Sequence, residues 1–335
     1  MLTAREPGFD AAVFIAAAAM SLVASWQLAK RLERLGERLG FSEGLLGLSA
    51  AIAADGPEIT SAITALLHGQ RAVGACVVMG ANLLNLAALG LTAILSGWIA
   101  LHRRVVWFFG ATALWIALAT LLVSTGDVPA GAGLGVSAFV FGSSVLLMGT
   151  EGSAARRLPI PSRWKAWLRS AVIEEEEELL EVLKPKPGGR RDAAVALFGL
   201  VVVISASVLM ERAATALGTR YSIPDTVLGG AVIAVVAVLP NTVAAVYLAL
   251  KAHPSATLSS ALNSINVNSL FGFLVPAGII GIGTAGKGKL LGGWYVGLTA
   301  VTLALALRSR GLSRRAGSLI VVCYLGAVVA LVLVA

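Results

Sequence analysis

Two acidic side chains, Asp55 and Glu58, lie deep in an apolar stretch of this 335-residue chain, with Pro57 between them. Three residues apart on a helix, they share nearly one face. An ionised carboxylate in a membrane interior costs a few kcal/mol at least and persists only with a partner. No Lys or Arg lies inside any apolar run to serve as one, so the natural partner is a bound cation or a proton. The alternative is a protonated carboxyl that makes packing hydrogen bonds. The pattern recurs 183 positions later. Ala53-Ala54-Asp55-Gly56-Pro57-Glu58, ending in Gly80-Ala81-Asn82-Leu83-Leu84-Asn85, is echoed by Val236-Ala237-Val238-Leu239-Pro240-Asn241, ending in Asn263-Ser264-Ile265-Asn266-Val267-Asn268. At this offset Pro57 meets Pro240, Glu58 meets Asn241, Ala81 meets Ser264 and Asn85 meets Asn268.

Each proline removes a backbone donor, freeing the carbonyls of Ala53 and Val236. Freed carbonyls in a membrane must be satisfied again, and hard cations such as Ca²⁺ and Na⁺ take oxygen ligands. One proline alone reads as a packing kink; two at matched positions, each beside a polar residue, read as a site. Asn85 and Asn268 supply amide oxygens and Ser264 a hydroxyl. Asn82, Asn263 and Asn266 fall on other faces, where an intramembrane asparagine often only joins helices.

The elements that must position these groups are membrane helices. The chain is 57% hydrophobic and 13% charged, with a mean hydropathy of +0.86. Apolar runs of about 20 residues recur from end to end, each long enough to span a bilayer. The short alternating segments of a β-barrel are absent. Ten spans are expected, at roughly 9–29, 42–68, 71–101, 104–125, 130–150, 192–217, 223–250, 255–282, 290–307 and 316–335. Lys and Arg divide 20 to 6 between the two sides, which places the 152–191 loop in the cytoplasm and both termini outside. The net charge of +8 belongs to that asymmetry and not to nucleic acid. Five spans are an odd number, so the second half enters from the opposite side. The expected fold is all-α and polytopic, with ten transmembrane helices in two inverted five-helix repeats, 1–151 and 192–335, around the 152–191 loop.

The paired segments resemble the α-repeats of the cation/Ca²⁺ exchanger superfamily, the sodium/calcium exchanger-like membrane proteins. The first is similar to that family's Gly-Thr-Ser-x-Pro-Glu…Gly-Ser-Asn-x-x-Asn pattern. The motif likeness covers about 50–86 and 233–270, and the likeness in topology covers the whole chain. The resemblance implies cation ligands at Glu58, Asn85, Ser264 and Asn268, and at Asn241 where the family usually carries a second acid. It further implies carbonyl ligands near Ala54 and Ala237, and a site-facing Asp55 where the pattern has serine. It implies alternating access by sliding of spans one and six. Departures from the pattern are Asn241 for the acid, and Ala54, Ala81, Ala237 and Val238 where hydroxyls are expected. Both acids therefore sit on one helix, and several oxygen ligands are gone. The reading is a secondary antiporter exchanging Ca²⁺ for Na⁺ or H⁺. The alternatives are a monovalent cation/proton exchanger of the same fold or, further off, a cation channel.

Other features weigh less. Cys76 and Cys323 lie in apolar runs, without metal or disulfide spacing. His68, His102 and His253 fall at span ends and read as solvated or interfacial. The Glu174–Glu178 run with Glu181 reads as a solvated helix, and Arg156 to Arg169, with Trp164 and Trp167, as a segment at the inner lipid surface. Lys184 to Gly189 reads as a linker. The run Phe9 to Leu28 reads as a retained helix, not a removed signal. No phosphate-binding loop and no deep histidine points to an enzyme or a resident cofactor. The expected partners are small inorganic cations and the lipid bilayer of the cell membrane, around a monomer.

Overall fold

The computed structural model describes residues 7–41, 43–150, 154, 161–182, 187–250, 254–280 and 288–334. Arg5, Arg156, Arg157, Lys184, Pro185, Lys186, Lys251, His253 and Lys287 lie outside the described residues, as do the side chains of Glu174–Glu178 and Glu181.

The chain runs α1 (Pro7–Leu39), α2 (Glu43–Ala54), α3 (Gly56–Leu67), α4 (Arg71–Ser96), β1 (Trp98–Ala100), α5 (Arg103–Thr125), α6 (Ala130–Gly149) and α7 (Ser162–Val182). There follow α8 (Arg190–Arg220), α9 (Asp225–Val227), a π-helical stretch Leu228–Ile233, α10 (Ala234–Ala237), α11 (Leu239–Leu250) and α12 (Pro254–Val267). A second π-helical stretch, Asn268–Leu274, then leads to α13 (Val275–Ile280), α14 (Gly288–Ser309), β2 (Gly311–Ser313) and α15 (Arg314–Val334). The starts recur: α1, α3 and α4 begin at 7, 56 and 71, and α8, α11 and α12 at 190, 239 and 254, each 183 residues on.

Among the described residues, eight helices are long and apolar enough to cross a membrane. The expected second and seventh spans do not qualify as single helices because each is broken in the middle. Helix α1 continues ten residues past its expected end, through the charge-rich helical turns from Lys30 to Leu39. Helix α4 stops at Ser96, where Gly97 takes φ +83°, and the rest of the expected span becomes β1.

Helix α4 is the centre of the molecule. It packs on α3, α11, α12, α14, α15 and the first π stretch, and 89% of its most apolar window is buried, against 33% for α1 and α8. Its approach to the π stretch is set by glycine: a Cβ on Gly80 would overlap the Gly230 carbonyl. Helices α1 and α8 lie along one another at the periphery, joined by a buried Ser21–Ser207 hydrogen bond of 2.9 Å. Their outer faces carry large exposed apolar side chains, Ile15, Leu197 and Phe198 among them, as a lipid-facing surface requires.

Two ties close one end of the bundle. Asp192 at the start of α8 accepts from Arg31 (2.7 Å) and Arg34 (3.4 Å) near the end of α1. Strands β1 and β2 pair antiparallel, Trp98 with Ser313 and Ala100 with Gly311. The first tie joins the end of α1 to the start of α8, and the second joins the α4–α5 connection to the α14–α15 connection. Helix α7 is less free than a solvated or lipid-surface segment: it packs on α2, α5 and α12 with Ala171 and Val172 buried, while Trp164 stays exposed.

Candidate functional site

The site forms where the two broken segments meet. Helix α2 ends at Ala54 and α3 starts at Gly56, which leaves Asp55 as a lone turn residue. The Asp55 amide donates to Ala51 O at 2.8 Å, and the Asp55 carbonyl accepts from Ile59 N at 3.0 Å. Pro57 stands in the first turn of α3, the one helical position where its missing donor costs nothing. In the second segment Val238 is the lone turn residue. Its amide donates to Ala234 O and its carbonyl accepts from Thr242 N, both at 3.0 Å. This is the same backbone bonding, 183 residues later.

Asp55 and Glu58 are both fully buried. Asp55 holds the N-cap position of α3 without capping it: its side chain makes no hydrogen bond to the helix amides. It turns across to the other segment. There Asn241 Nδ2 donates to Asp55 Oδ1 and, at 3.2 Å, to Glu58 Oε1. Ser264 of α12 stands within hydrogen-bonding reach of the Asp55 carboxyl. No Lys, Arg or His among the described residues is ion-paired with either acid. What offsets their charge is the positive end of the α3 dipole and one amide.

The other ligand candidates flank this pair. Asn85 on α4 and Asn268 at the first residue of the second π stretch are buried, and both π stretch and α4 pack on α3. Several polar atoms here have no hydrogen-bond partner: Asp55 Oδ2, Glu58 Oε2, Asn85 Nδ2, and both Nδ2 and Oδ1 of Asn268. Each buried polar atom left unpaired costs about 1–3 kcal/mol. Of these atoms the two carboxylate oxygens and Asn268 Oδ1 are acceptors, the chemistry that a positively charged ligand uses. Ser61, one turn after Glu58, belongs with them: it is fully buried and its Oγ has no partner. Its spacing, three residues from Glu58 and so on nearly the same helix face, is the signal that would have found it.

The two halves are not chemically equivalent. Asp55 and Ser264 make one polar side. Their counterparts at the 183-residue offset, Val238 and Ala81, pack with Ala234 in a separate buried apolar cluster. The expected hydroxyls at 81 and 238 are replaced by a dry patch. Asn82, expected to join helices, does so: its Nδ2 donates to Ser269 Oγ at 2.8 Å, and Ser269 meets the Tyr295 hydroxyl at 3.1 Å.

Two broken segments thus meet at one buried pair of acids, and the comparisons give the class of protein that holds them. Residues 9–123 and 192–333 match the family model described as sodium/calcium exchanger protein, and the chain belongs to that family. It is a membrane transporter of the exchanger class and not an enzyme. Among solved structures, the H⁺/Ca²⁺ exchanger CAX is similar at 12% identity and TM-score 0.70, covering 97% of this chain and 86% of that one. Native YfkE is similar at 13% identity and TM-score 0.65, over 96% of this chain and 92% of that one. The sodium–calcium exchanger NCX_Mj is similar at 16% identity and TM-score 0.59, over 96% and 98%. No curated protein sequence matches the chain.

Proposed function

We propose that the protein is a secondary antiporter that exchanges Ca²⁺ for Na⁺ or H⁺ at the junction of its two broken segments. The cation is held by Asp55, Glu58, Asn85, Asn241, Ser264 and Asn268. The observation that carries this reading is the pair of fully buried carboxylates that share Asn241, have no basic partner among the described residues, and each keep one oxygen without a hydrogen bond. Two negative charges match one divalent cation, or two protons or monovalent cations, so exchange of one load for the other keeps the site neutral. An empty, charged site in an apolar surround opposes movement, and a neutralised one permits it.

The architecture in this reading is ten spans in two inverted five-helix repeats, 1–151 and 192–335, with the 152–191 segment in the cytoplasm and both termini outside. Three features support it: the 183-residue recurrence of element starts, the two interrupted segments, and the meeting of the basic loops at one end. The peripheral pair α1 and α8 moves against the core centred on α4.

Asn241 directs its amide nitrogen at both acids. To ligate a cation it must turn its Oδ1 inward, so ion binding and release of the Asn241 hydrogen bonds are one event. A second reading, a monovalent cation/proton exchanger, is favoured by the apolar Ala81–Ala234–Val238 patch, which removes oxygens that a Ca²⁺ shell of 6–8 ligands would use. Counter-ion-dependent uptake of radioactive Ca²⁺ into proteoliposomes, run in parallel with Na⁺, K⁺ and H⁺ fluxes, decides between them. Flux of no cation under any gradient would overturn both.

A further inference from the structure

A buried polar tie joins three helical segments next to the flanking asparagines Asn85 and Asn268. Asn82 Nδ2 of α4 donates to Ser269 Oγ at 2.8 Å, and that oxygen lies 3.1 Å from the Tyr295 hydroxyl of α14. All three residues are fully buried, and Tyr295 is the largest wholly buried side chain among the described residues. A buried tyrosine hydroxyl takes a partner, and this one takes the residue that follows Asn268 in the chain. Asn82 in turn stands three residues before Asn85 on α4, hence on nearly the same face. The tie therefore reaches both asparagines, Asn85 through α4 and Asn268 through the second π stretch.

Asn268 depends on such outside support. Neither its Nδ2 nor its Oδ1 has a partner. It also opens a π-helical stretch, a departure from the regular ladder that recurs at functional sites. Asn85, by contrast, lies inside the regular helix α4. The internal repeat shows that the tie belongs to one half only. At the 183-residue offset Asn82 meets Ile265 and Ser269 meets Leu86, and both counterparts are buried in the main apolar core. Tyr295 meets Thr112, whose hydroxyl turns instead to the Phe108 carbonyl and to Ser144 of α6. Hydrocarbon contact is non-directional, whereas a hydrogen bond holds distance and angle. The counterpart positions lack that directional hold.

We propose that Tyr295, acting through Ser269 and Asn82, is a positioning residue that sets the separation of Asn85 and Asn268, and with it the size of cation that the site accepts. Selectivity between cations follows cavity size, ligand number and flexibility. A tied pair of ligands resists widening and discriminates by ionic size. An untied pair adjusts to whichever ion enters. The inference rests on the ion site proposed above, but not on which counter-ion drives exchange, and it can be measured without transport.

The test is equilibrium binding of Ca²⁺, Sr²⁺, Ba²⁺, Na⁺ and K⁺ to the purified full chain, read by calorimetry beside its melting temperature. The parent is expected to prefer one size of ion within a charge class. Tyr295→Phe, which deletes a single oxygen, and Ser269→Ala each compress that preference by about threefold or more, towards equal binding. Thr299→Val is the control. Its buried α14 hydroxyl bonds the Tyr295 carbonyl, outside the tie, and its loss leaves the preference unchanged. A tie that only holds the fold together would lower the melting temperature and weaken every ion by one common factor, and that uniform loss overturns the positioning role. So does an unchanged preference in both Tyr295→Phe and Ser269→Ala, or a parent without preference. A parent that binds no cation overturns the ion site and this inference with it. A parent that binds with the expected preference yet carries no flux in proteoliposomes overturns the exchanger reading alone.

Discussion

Asp55 and Val238 hold the same backbone position in two halves of one chain. Each is the single residue between two helices, with its amide bonded four residues back and its carbonyl four residues forward. One carries a carboxylate into the site and the other an isopropyl group into a patch with Ala81 and Ala234. Val238→Ser adds an oxygen without altering the turn. In ion-free buffer the unpartnered hydroxyl lowers stability by about 1–3 kcal/mol, and saturating cation restores part of the loss. Thermal unfolding in detergent, with and without Ca²⁺ or Na⁺, measures both. No ion-dependent recovery would place position 238 outside ion contact.

Removing the acids separates charge from shape. Glu58→Gln and Asp55→Asn keep the volume of each side chain and delete half the charge of the site. Glu58→Gln reduces Ca²⁺ flux to background, and Asp55→Asn weakens apparent affinity at least tenfold, about 1.4 kcal/mol. Full exchange by Glu58→Gln would sink the proposed site.

Protons and cations compete for these two carboxylates. A cation requires them deprotonated, so affinity rises with pH and falls on acidification. At its steepest the change approaches two protons released per ion bound. Calorimetric titration of Ca²⁺ in two buffers of different ionisation enthalpy counts those protons directly. A count of zero at every pH would mean that neither acid touches the ion.

Asn241 is bonded to both acids. Asn241→Leu removes two hydrogen bonds to charged groups, each contributing about 1.5–3 kcal/mol, and lowers the ion-free melting temperature. Asn241→Asp places three acids together. It destabilises the ion-free protein further yet makes its stability climb more steeply with Ca²⁺. If the Asp variant is as stable as the parent without ion, the amide bonds contribute nothing.

The close crossing of α4 and the first π stretch gives a packing test. Gly80→Ala drives a methyl group against the Gly230 backbone, which has no side chain to move aside. The cost is about 1–3 kcal/mol or more, read as a lower melting temperature, whereas Gly142→Ala, with open space around it, is neutral.

The broken segments were legible because prolines and acids inside apolar runs violate a strong rule, and the 183-residue offset joined two weak signals into one. The π stretches were not. Leu228–Ile233 and Asn268–Leu274 have no breaker residues at their edges, and their first-half counterparts are ordinary α-helix. Glu211 was passed over for a related reason. It reads as one acid in a long span, and only the packing of α8 on α3 brings His68 beside it. Ser61 escaped because serine is common in membrane helices, and only burial with an unpaired oxygen distinguishes this one.

The ribbon of Trp98–Ala100 with Gly311–Ser313 acts as a staple. It fastens the α4–α5 turn to the α14–α15 turn, so those four helices share a fixed plate at that face and cannot shear past one another. In the proposed exchange the stroke is left to parts outside the staple, and the α1–α8 pair, strapped to itself through Asp192, would move as a single piston.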